Sequence, residues 1–245
     1  MSHLMKNYGR LPVSFDHGQG VWLWDKEGHK YLDALAGIAV NSVGHAHPRL
    51  VRAIADQASK LIHCSNYFNI DLQEQVAEKL VEHSGLEAVF FCNSGLEANE
   101  CAIKIARKFG HAKGIEVPNI IVLKHAFHGR SIATLSATGN PSVRADFSPY
   151  TEGFIFVDES DLDGIRKIVE ENKNVVAIFF EPILGEGGVV PIDLSVIKGI
   201  REICDEHDLL MMCDEVQCGM GRSGKWFAHQ WAEIKPCLLY TSDAA

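Results

Sequence analysis

The sequence lacks any concentrated positive charge. Its 32 acidic residues outnumber its 23 basic residues, which gives a formal net charge of −9, and no run of lysine and arginine interrupts this balance. Binding to a nucleic-acid backbone or to an anionic membrane surface usually depends on a clustered basic patch. We therefore expect neither a nucleic acid nor a membrane among the partners of this chain.

Long apolar segments and metal-binding spacings are missing as well. No stretch stays apolar for long enough to cross a bilayer, and residues 1–12 do not form a secretory signal. The seven cysteines never form a CxxC pair, and His45 with His47 or His125 with His128 lacks further ligands at zinc spacing. We expect reduced thiols, no metal site and a cytoplasmic location.

What the chain does have is an ordinary globular composition, 47% hydrophobic and 22% charged over 245 residues. Residues 20–25 and 29–33 alternate apolar and polar side chains around a turn, which predicts a β-hairpin. Helices are predicted from Pro48 to about 62 and from Asp71 to about 83. We expect an N-terminal segment of a small domain over 1–47 and a large domain over 48–236.

From residue 88 onward, short β-rich runs alternate with helical patterns. Residues 175–180 are apolar throughout, which is typical of a parallel strand covered on both faces. The sequence therefore predicts an α/β fold, a doubly wound and mostly parallel sheet with a small N-terminal subdomain. Its strands are predicted over 88–92, 119–124, 154–157, 175–180 and 209–213, and its helices over 96–109, 130–137, 161–171 and 195–207.

Ligands of such sheets collect at the carboxyl ends of the strands. The first predicted strand is followed by Asn93, Ser94, Gly95 and Leu96, which open a helix. Free N–H groups and the positive end of that helix would favour a phosphate, and Gly95 would let an anion approach the backbone. A tight strand-to-helix turn without a ligand is the alternative.

The loop after the second strand combines an aromatic ring, an imidazole and a guanidinium with a glycine. Phe127 could stack on a planar cofactor, and Arg130 could bind a carboxylate through two hydrogen bonds. A hydrogen-bonded loop histidine, His128, beside a core phenylalanine is the alternative interpretation. Both remain open from these residues alone.

Carboxylates follow two further predicted strands, those over 175–180 and 209–213. Glu181 and Glu186 flank a glycine-rich bend that ends at Gly188, and they would pair with a substrate or an arginine unless the bend is a solvated turn. Asp214 stands at the end of an apolar strand, where its charge is costly unless a group such as a pyridinium nitrogen pairs with it. A helix cap or turn former is the alternative for Asp214.

A rival motif lies near the end of the chain. Residues 219–224 match the GxGxxG pattern of dinucleotide-binding proteins, and Asp243 stands about twenty residues further on. That pattern should follow directly on a first strand. Here residues 214–218 intervene and the motif comes late, so we do not expect nicotinamide binding.

Taken together, these motifs resemble the class III aminotransferases in their order and spacing. The similarity covers about residues 7–236, nearly the whole chain. The segments that carry it are 93–100, 127–130, 181–188 and 214–217. The segments 7–12, 37–41 and 44–48 are similar to the acetylornithine branch of that family in particular.

The resemblance implies pyridoxal 5′-phosphate as the cofactor. Ser94, Gly95 and Leu96 would hold its phosphate, with Leu96 contributing only a backbone N–H. Arg130 would bind the α-carboxylate of the substrate. Glu186 is similar to a glutamate that, in relatives acting on a terminal amine, pairs with an arginine further along the chain.

The same resemblance implies how the pyridine ring would be held. Phe127 would stack on one face of the ring and Val216 on the other. Asp214 would pair with the ring nitrogen and keep it protonated, which makes the ring an electron sink. Gln217 would hydrogen-bond the ring hydroxyl.

By resemblance, the reaction would move the δ-amino group of N-acetylornithine to 2-oxoglutarate, giving N-acetylglutamate semialdehyde and glutamate in arginine biosynthesis. The expected partners are these small molecules and, for the full-length enzyme, a second copy of the chain in a homodimer. Succinylornithine, ornithine and 4-aminobutyrate are alternative amino donors. A noncatalytic binding protein that keeps the aminotransferase shape is the alternative outside the enzymes.

One residue of the family has no counterpart. The Schiff-base lysine of the family should fall at or near position 243, where this chain has Asp243. Residues 237–245 match nothing expected of the family, and we expect them to be an unrelated tail on a truncated chain. Without the lysine amine, transamination by this chain should be negligible.

Overall fold

The structure is a computed structural model, and it describes residues 3–241. By their contacts these residues form two units, one up to Ile70 and one from Asp71 onward. The predicted boundary at 47/48 differs from this division, which places residues 48–70 in the first unit. Asp243 lies outside the described residues.

The first unit contains a three-stranded antiparallel sheet of β1 (Phe15–Gln19), β2 (Trp22–Asp25) and β3 (Lys30–Leu32). A single turn, α1 (Ala36–Ala39), and the helix α2 (Pro48–Ala58) follow it. β2 and β3 confirm the predicted hairpin, and the buried Asp25 carboxylate holds its turn by accepting the N–H groups of Glu27 and His29. The sequence does not predict β1, because the mostly polar run that forms it has no apolar alternation.

The second unit is the predicted doubly wound α/β domain. Its strands are β4 (Asn119–Leu123), β5 (Phe154–Val157), β6 (Val175–Phe180), β7 (Ile183–Leu184), β8 (Val190–Pro191), β9 (Leu210–Glu215) and β10 (Leu238–Thr241). Its helices are α3 (Asp71–Ser84), α4 (Gly95–Ala112), α5 (Ile132–Ala137), α6 (Pro141–Arg144), α7 (Leu162–Glu171) and α8 (Leu194–Glu206), with a 3₁₀ helix at Ala228–Ala232. Five strands form one parallel sheet in the order β10-β9-β6-β4-β5, and β7 pairs separately with β8.

Two apolar layers cover this sheet, one on each face. β6 is buried along its whole length, and its side chains point alternately to the two faces. Ile178 and Phe180 belong to the layer that contains residues of α7 and α8, whereas Ala177 and Phe179 belong to the layer that contains residues of α4. This double coverage explains why the continuous apolar run correctly predicts a central parallel strand.

The strand predicted over 88–92 is wrong, because these residues form no strand in the structure. Phe90 and Phe91 are exposed there. A strand is stabilised by the backbone hydrogen bonds of a neighbouring strand. None of the strand pairings among the described residues involves this β-prone segment, so its backbone lacks the hydrogen bonds that would hold it as a strand.

Residues 238–241, within the stretch predicted as an unrelated tail, form the edge strand β10. They pair with β9 in parallel register. Tyr240 is buried in the same layer as Phe179, and the two rings meet edge to face with centroids 6.3 Å apart. This part of the tail therefore adds both backbone pairing and a core side chain to the second unit.

Candidate functional site

The polar segments selected from the sequence lie at one edge of the large sheet. β4, β6 and β9 are parallel neighbours, so their carboxyl ends meet at the same edge. Residues 124–130 follow β4, Glu181 follows β6, and Asp214 lies at the end of β9. The order of the strands therefore brings together three of the four segments that the sequence analysis selected, those that follow β4, β6 and β9.

The start of helix α4 is capped by side chains. Ser94 is its N-cap, and the Ser94 hydroxyl accepts the N–H of Glu97 at 3.2 Å. Glu97 Oε2 in turn accepts the N–H of Asn93 at 2.6 Å. The N–H groups of Gly95 and Leu96, in the first turn, have no carbonyl partner within the helix, and they lie at its positive end. This arrangement fits the predicted phosphate position.

Gly95 sets how closely α4 approaches the end of β9. A Cβ atom added to Gly95 would lie 2.6 Å from Cγ1 of Val216. No side chain fits in that space, so glycine is required by close approach and not by an unusual backbone angle. The phosphate candidates and the Asp214 segment are thereby brought into direct contact.

The Asp214 carboxylate is buried, with 4% of the residue exposed, and it is hydrogen-bonded on both oxygens. Oδ2 accepts from Asn99 Nδ2 at 2.7 Å and pairs with His128 Nδ1 at 2.8 Å, while Oδ1 accepts the N–H of Val216 at 3.1 Å. An ionised carboxylate offers about four acceptor positions. One position remains for a further donor, such as a protonated ring nitrogen.

Asn99, on helix α4, and His128, on the loop after β4, both bind the Oδ2 atom of this carboxylate. Asn99 Nδ2 also donates to the His128 carbonyl at 2.9 Å, and the His128 ring stacks on Phe179 with centroids 3.8 Å apart. Asn99 Oδ1 and His128 Nε2 are buried without a partner among the described residues. The pair therefore fixes the position and orientation of Asp214 within a largely apolar layer.

Asn99 is the site residue that the sequence analysis missed. It lies on the buried face of α4 with Ala98 and Ala102. A polar side chain on an otherwise apolar helix face was the available signal, since a buried amide needs hydrogen-bond partners. Its partner Asp214 lies 115 residues away, a distance that residue spacing does not reveal.

In the loop after β4, Phe127 and Arg130 differ in their exposure to solvent. Phe127 is half-buried, and its N–H donates to Glu181 Oε1 at 2.8 Å, whereas Arg130 is exposed. Gly129 has φ of 128° and lies against Thr134 and Leu96. This backbone conformation favours glycine, and it brings the loop next to the start of α4.

The glycine-rich bend after β6 lies against the end of β9. A Cβ atom added to Gly185 would lie 2.1 Å from Oε1 of Gln217, so the Gln217 side chain covers this glycine. Glu186 is exposed at the same bend. Gln217 thus joins the edge of the sheet where Asp214 lies, and Glu186 stands at its solvent side.

A second buried pair, Glu215 and His229, holds the end of β9. Glu215 is fully buried and accepts the N–H groups of Ala228 and His229 at the start of the 3₁₀ helix. It also pairs with His229 Nδ1 at 2.8 Å. The two neighbouring acidic residues therefore have different surroundings, with Asp214 bound toward α4 and Glu215 bound to the 3₁₀ helix.

Other kinds of site find no support in the part of the chain that the structure describes. Within residues 3–241, no group of three or more His, Cys, Asp or Glu side chains could hold a metal ion. No helix in that range is long and apolar enough to cross a membrane. The cysteines of the range form no disulfide.

Comparison with known proteins gives one consistent family. The model of the family "Aminotransferase class-III" matches residues 4–244. The acetylornithine aminotransferase of Nitrosomonas europaea is 54% identical over 236 residues, which are 96% of this chain and 60% of that protein. The acetylornithine aminotransferase of Synechocystis sp. is 48% identical over 244 residues, covering 97% of this chain and 57% of that protein.

Solved structures give the same result. The N-acetylornithine aminotransferase of Stenotrophomonas maltophilia superposes with a TM-score of 0.83 at 38% identity, covering 97% of this chain and 60% of that chain. An ornithine aminotransferase of Toxoplasma gondii gives a TM-score of 0.91 at 33% identity, covering 98% and 57%. The chain thus spans about three fifths of the length of these relatives.

Proposed function

Because the chain belongs to the class III aminotransferases, we propose that it binds pyridoxal 5′-phosphate at this edge of the sheet and that the site serves amino-group transfer. The observation that carries the proposal is the buried Asp214 carboxylate, fixed by Asn99 and His128 beside the start of α4. A buried charge with a free acceptor position beside a positive helix end matches a ligand that has a protonated ring and a phosphate.

The residues present fit this cofactor at both ends. The N–H groups of Gly95 and Leu96 and the Ser94 hydroxyl would hold the phosphate. The remaining acceptor position of Asp214 would take the ring N–H, which keeps that nitrogen protonated. When bound, the cofactor supplies an electron-withdrawing ring that stabilises negative charge on the substrate carbon.

The side chains around Asp214 would orient the ring. Phe127 and Val216 would cover its two faces, since both are half-buried beside polar segments at the sheet edge. Gln217 would hydrogen-bond the ring hydroxyl from its position over Gly185. The apolar faces would exclude water from the ring and strengthen the Asp214 interaction.

Two exposed charges are available for the substrates. Arg130 offers a guanidinium for the α-carboxylate of an amino acid or a 2-oxo acid. Glu186, exposed at the bend after β6, offers a carboxylate on the substrate side of the site, where the family motif implies that it pairs with an arginine further along the chain. These assignments rest on the family motifs and on the exposure of both side chains.

The donor that we propose is N-acetylornithine, with 2-oxoglutarate as the acceptor, in arginine biosynthesis. It is supported by relatives named acetylornithine aminotransferases at 48–54% identity. Ornithine is the second candidate, since ornithine aminotransferases are among the similar structures, and succinylornithine and 4-aminobutyrate remain alternatives. Homodimer formation and a cytoplasmic location belong to the same proposal.

The proposal is tested by titrating the cofactor-free chain with pyridoxal 5′-phosphate, pyridoxal and inorganic phosphate. Tight binding requires the ring and the phosphate together, so we expect the phosphorylated ring to bind at least about a hundredfold more tightly than either part alone. Equal affinity for inorganic phosphate and the full cofactor would mean that the helix end is only an anion site.

Asp243 gives a separate prediction, because family members hold the cofactor covalently through a lysine near this position. We expect reversible cofactor binding by this chain, no adduct after borohydride reduction, and no turnover of N-acetylornithine with 2-oxoglutarate above a protein-free control. Asp243→Lys should gain a borohydride-trapped adduct at residue 243, which peptide mass spectrometry detects. Turnover by the unaltered chain would contradict the prediction, and reversible binding that persists in both proteins would favour the noncatalytic alternative.

A further inference from the structure

Glu181 joins two loops that come from different strands of the sheet. It follows β6 directly and is buried, with 5% of the residue exposed. Its Oε1 accepts the N–H of Phe127 at 2.8 Å, and its Oε2 accepts the N–H of Gly185 at 3.1 Å. Phe127 lies 54 residues earlier in the chain, on the loop after β4.

The two loops need such a link. In the loop after β4, His125 has φ of 66°, and in the bend after β6, Gly188 has φ of 112°. A Cβ atom added to Gly187 would lie 2.9 Å from the carbonyl oxygen of His125, so the two backbones are in close contact. Neither segment belongs to the sheet, and side-chain acceptors can replace the hydrogen bonds that a sheet would supply.

We propose that Glu181 is a positioning residue, whose two carboxylate oxygens hold the Phe127 and Gly185 backbones at fixed places beside Asp214. We call this arrangement the Glu181 clamp, meaning Glu181 and the N–H groups of Phe127 and Gly185. The hydrogen bonds of the clamp do not depend on the proposed function, but the effect of the clamp on the cofactor ring rests on it. Phe127 would face the cofactor ring, and Gly185 supports Gln217, which would bond the ring hydroxyl.

The charge state of Glu181 makes the clamp sensitive to pH. Burial, and then the negative charge of Asp214, raise the pKa of Glu181 from 4.5 to about 7, whereas His128 and the two N–H donors act in the opposite direction. Cys218, which is buried nearby, also interacts electrostatically with Glu181. An ionised carboxylate accepts N–H bonds more strongly than a neutral one, so the clamp should tighten as the pH rises through about 7.

Global stability should change in the opposite direction. Because the folded pKa of Glu181 lies above its ordinary value, its protonated form favours the fold, and this contribution is complete below about pH 4.5. It is lost as the pH rises through about 7. As the pH rises through about 7, ionisation of Glu181 should therefore weaken the global stability of the chain and strengthen the two local hydrogen bonds.

The test is amide hydrogen exchange of the cofactor-free chain, followed residue by residue at about pH 6 and about pH 8 and corrected for intrinsic exchange. Glu181→Gln places an NH₂ group opposite one of the two N–H donors. The protection of the Phe127 and Gly185 amides should fall about tenfold at the higher pH. The amide of Ile178 in β6 should keep its protection, and Glu186→Gln, an exposed carboxyl in the same bend, should change none of the three.

The wild-type chain alone supplies a second reading, which stands even if Glu181→Gln does not fold. In the wild-type chain, the protection of the Phe127 and Gly185 amides should be higher at about pH 8 than at about pH 6. Protection that is equal at both pH values, or unchanged in Glu181→Gln, overturns the clamp.

Cofactor binding separates this inference from the proposed function. Glu181→Gln should weaken pyridoxal 5′-phosphate binding about tenfold and leave inorganic phosphate binding unchanged, because the phosphate position lies at the start of α4. If the wild-type chain binds no cofactor but its amides behave as expected, the clamp stands and the proposed function fails. If the cofactor binds and the amides stay protected in the variant, the clamp fails.

Discussion

Replacing Asp214 with alanine is expected to lower the free energy of unfolding by about 2–6 kcal/mol, the largest effect that we predict for a single site residue. The reason is that Asn99 Nδ2 and His128 Nδ1 would both lose their acceptor while remaining buried, and each unsatisfied buried donor costs roughly 1–3 kcal/mol. Urea denaturation of the two proteins, followed by circular dichroism, measures the difference.

Asp214→Asn separates the charge from the hydrogen bonds. Both donors bind the same oxygen, Oδ2, so an asparagine oxygen in its place can still accept from them while the NH₂ group faces the N–H of Val216, and the loss of stability should be smaller than for alanine. The charge opposite the ring nitrogen is gone, and cofactor affinity should fall at least about tenfold. Asp158→Asn, an exposed carboxylate paired with Lys124, is the matched control and should leave both quantities unchanged. A stable Asp214→Ala variant would show that Asn99 and His128 do not depend on this carboxylate.

The second large effect is expected at Gly95, where alanine should destabilise the chain by about 1–3 kcal/mol through overpacking. Helix propensity alone would favour alanine, by less than the roughly 0.8–1 kcal/mol of a helix interior because Gly95 is the first residue of α4, so the sign of the change decides between the two effects. The added Cβ would lie 2.6 Å from Cγ1 of Val216, a branched side chain at a strand end that has little freedom to move away. Phosphate binding should weaken as well, because α4 must shift.

A double variant tests the cause. Val216→Ala removes the methyl groups that the new Cβ would meet, so Gly95→Ala combined with Val216→Ala should be more stable than the sum of the single changes predicts. We expect a coupling free energy of about 1–2 kcal/mol. Gly9→Ala is the control, since a Cβ atom there meets nothing within 4 Å. Additive effects of the two substitutions would place the origin of the destabilisation elsewhere.

The parts of the fold that follow from local pattern are predictable from the sequence. Val175–Phe180 is a buried central strand as its apolar run indicates, and α4 begins next to Ser94, as a capping residue before a helical pattern requires. Pairing is not a local property. Residues 88–92 have the composition of a strand but pair with no other strand in the described residues, whereas residues 238–241 pair with β9 and form β10.

In the candidate site, too, local features are predictable from the sequence and contacts between distant residues are not. Residues placed directly after strands, such as Glu181 and Asp214, are found by asking what stands at strand ends. Their partners are not, because Asn99 and His128 lie 115 and 86 residues from Asp214. Only the fold shows that one buried carboxylate links a helix and a loop.

We propose above all that Asp214 holds the protonated ring nitrogen of bound pyridoxal 5′-phosphate. The most direct test is nitrogen NMR of cofactor labelled at the ring nitrogen, bound to the wild-type chain and titrated across neutral to alkaline pH. We predict that the nitrogen stays protonated to a higher pH than in the free cofactor and that Asp214→Asn removes the difference. A ring nitrogen that titrates as in free solution when bound to the wild-type chain would contradict the account.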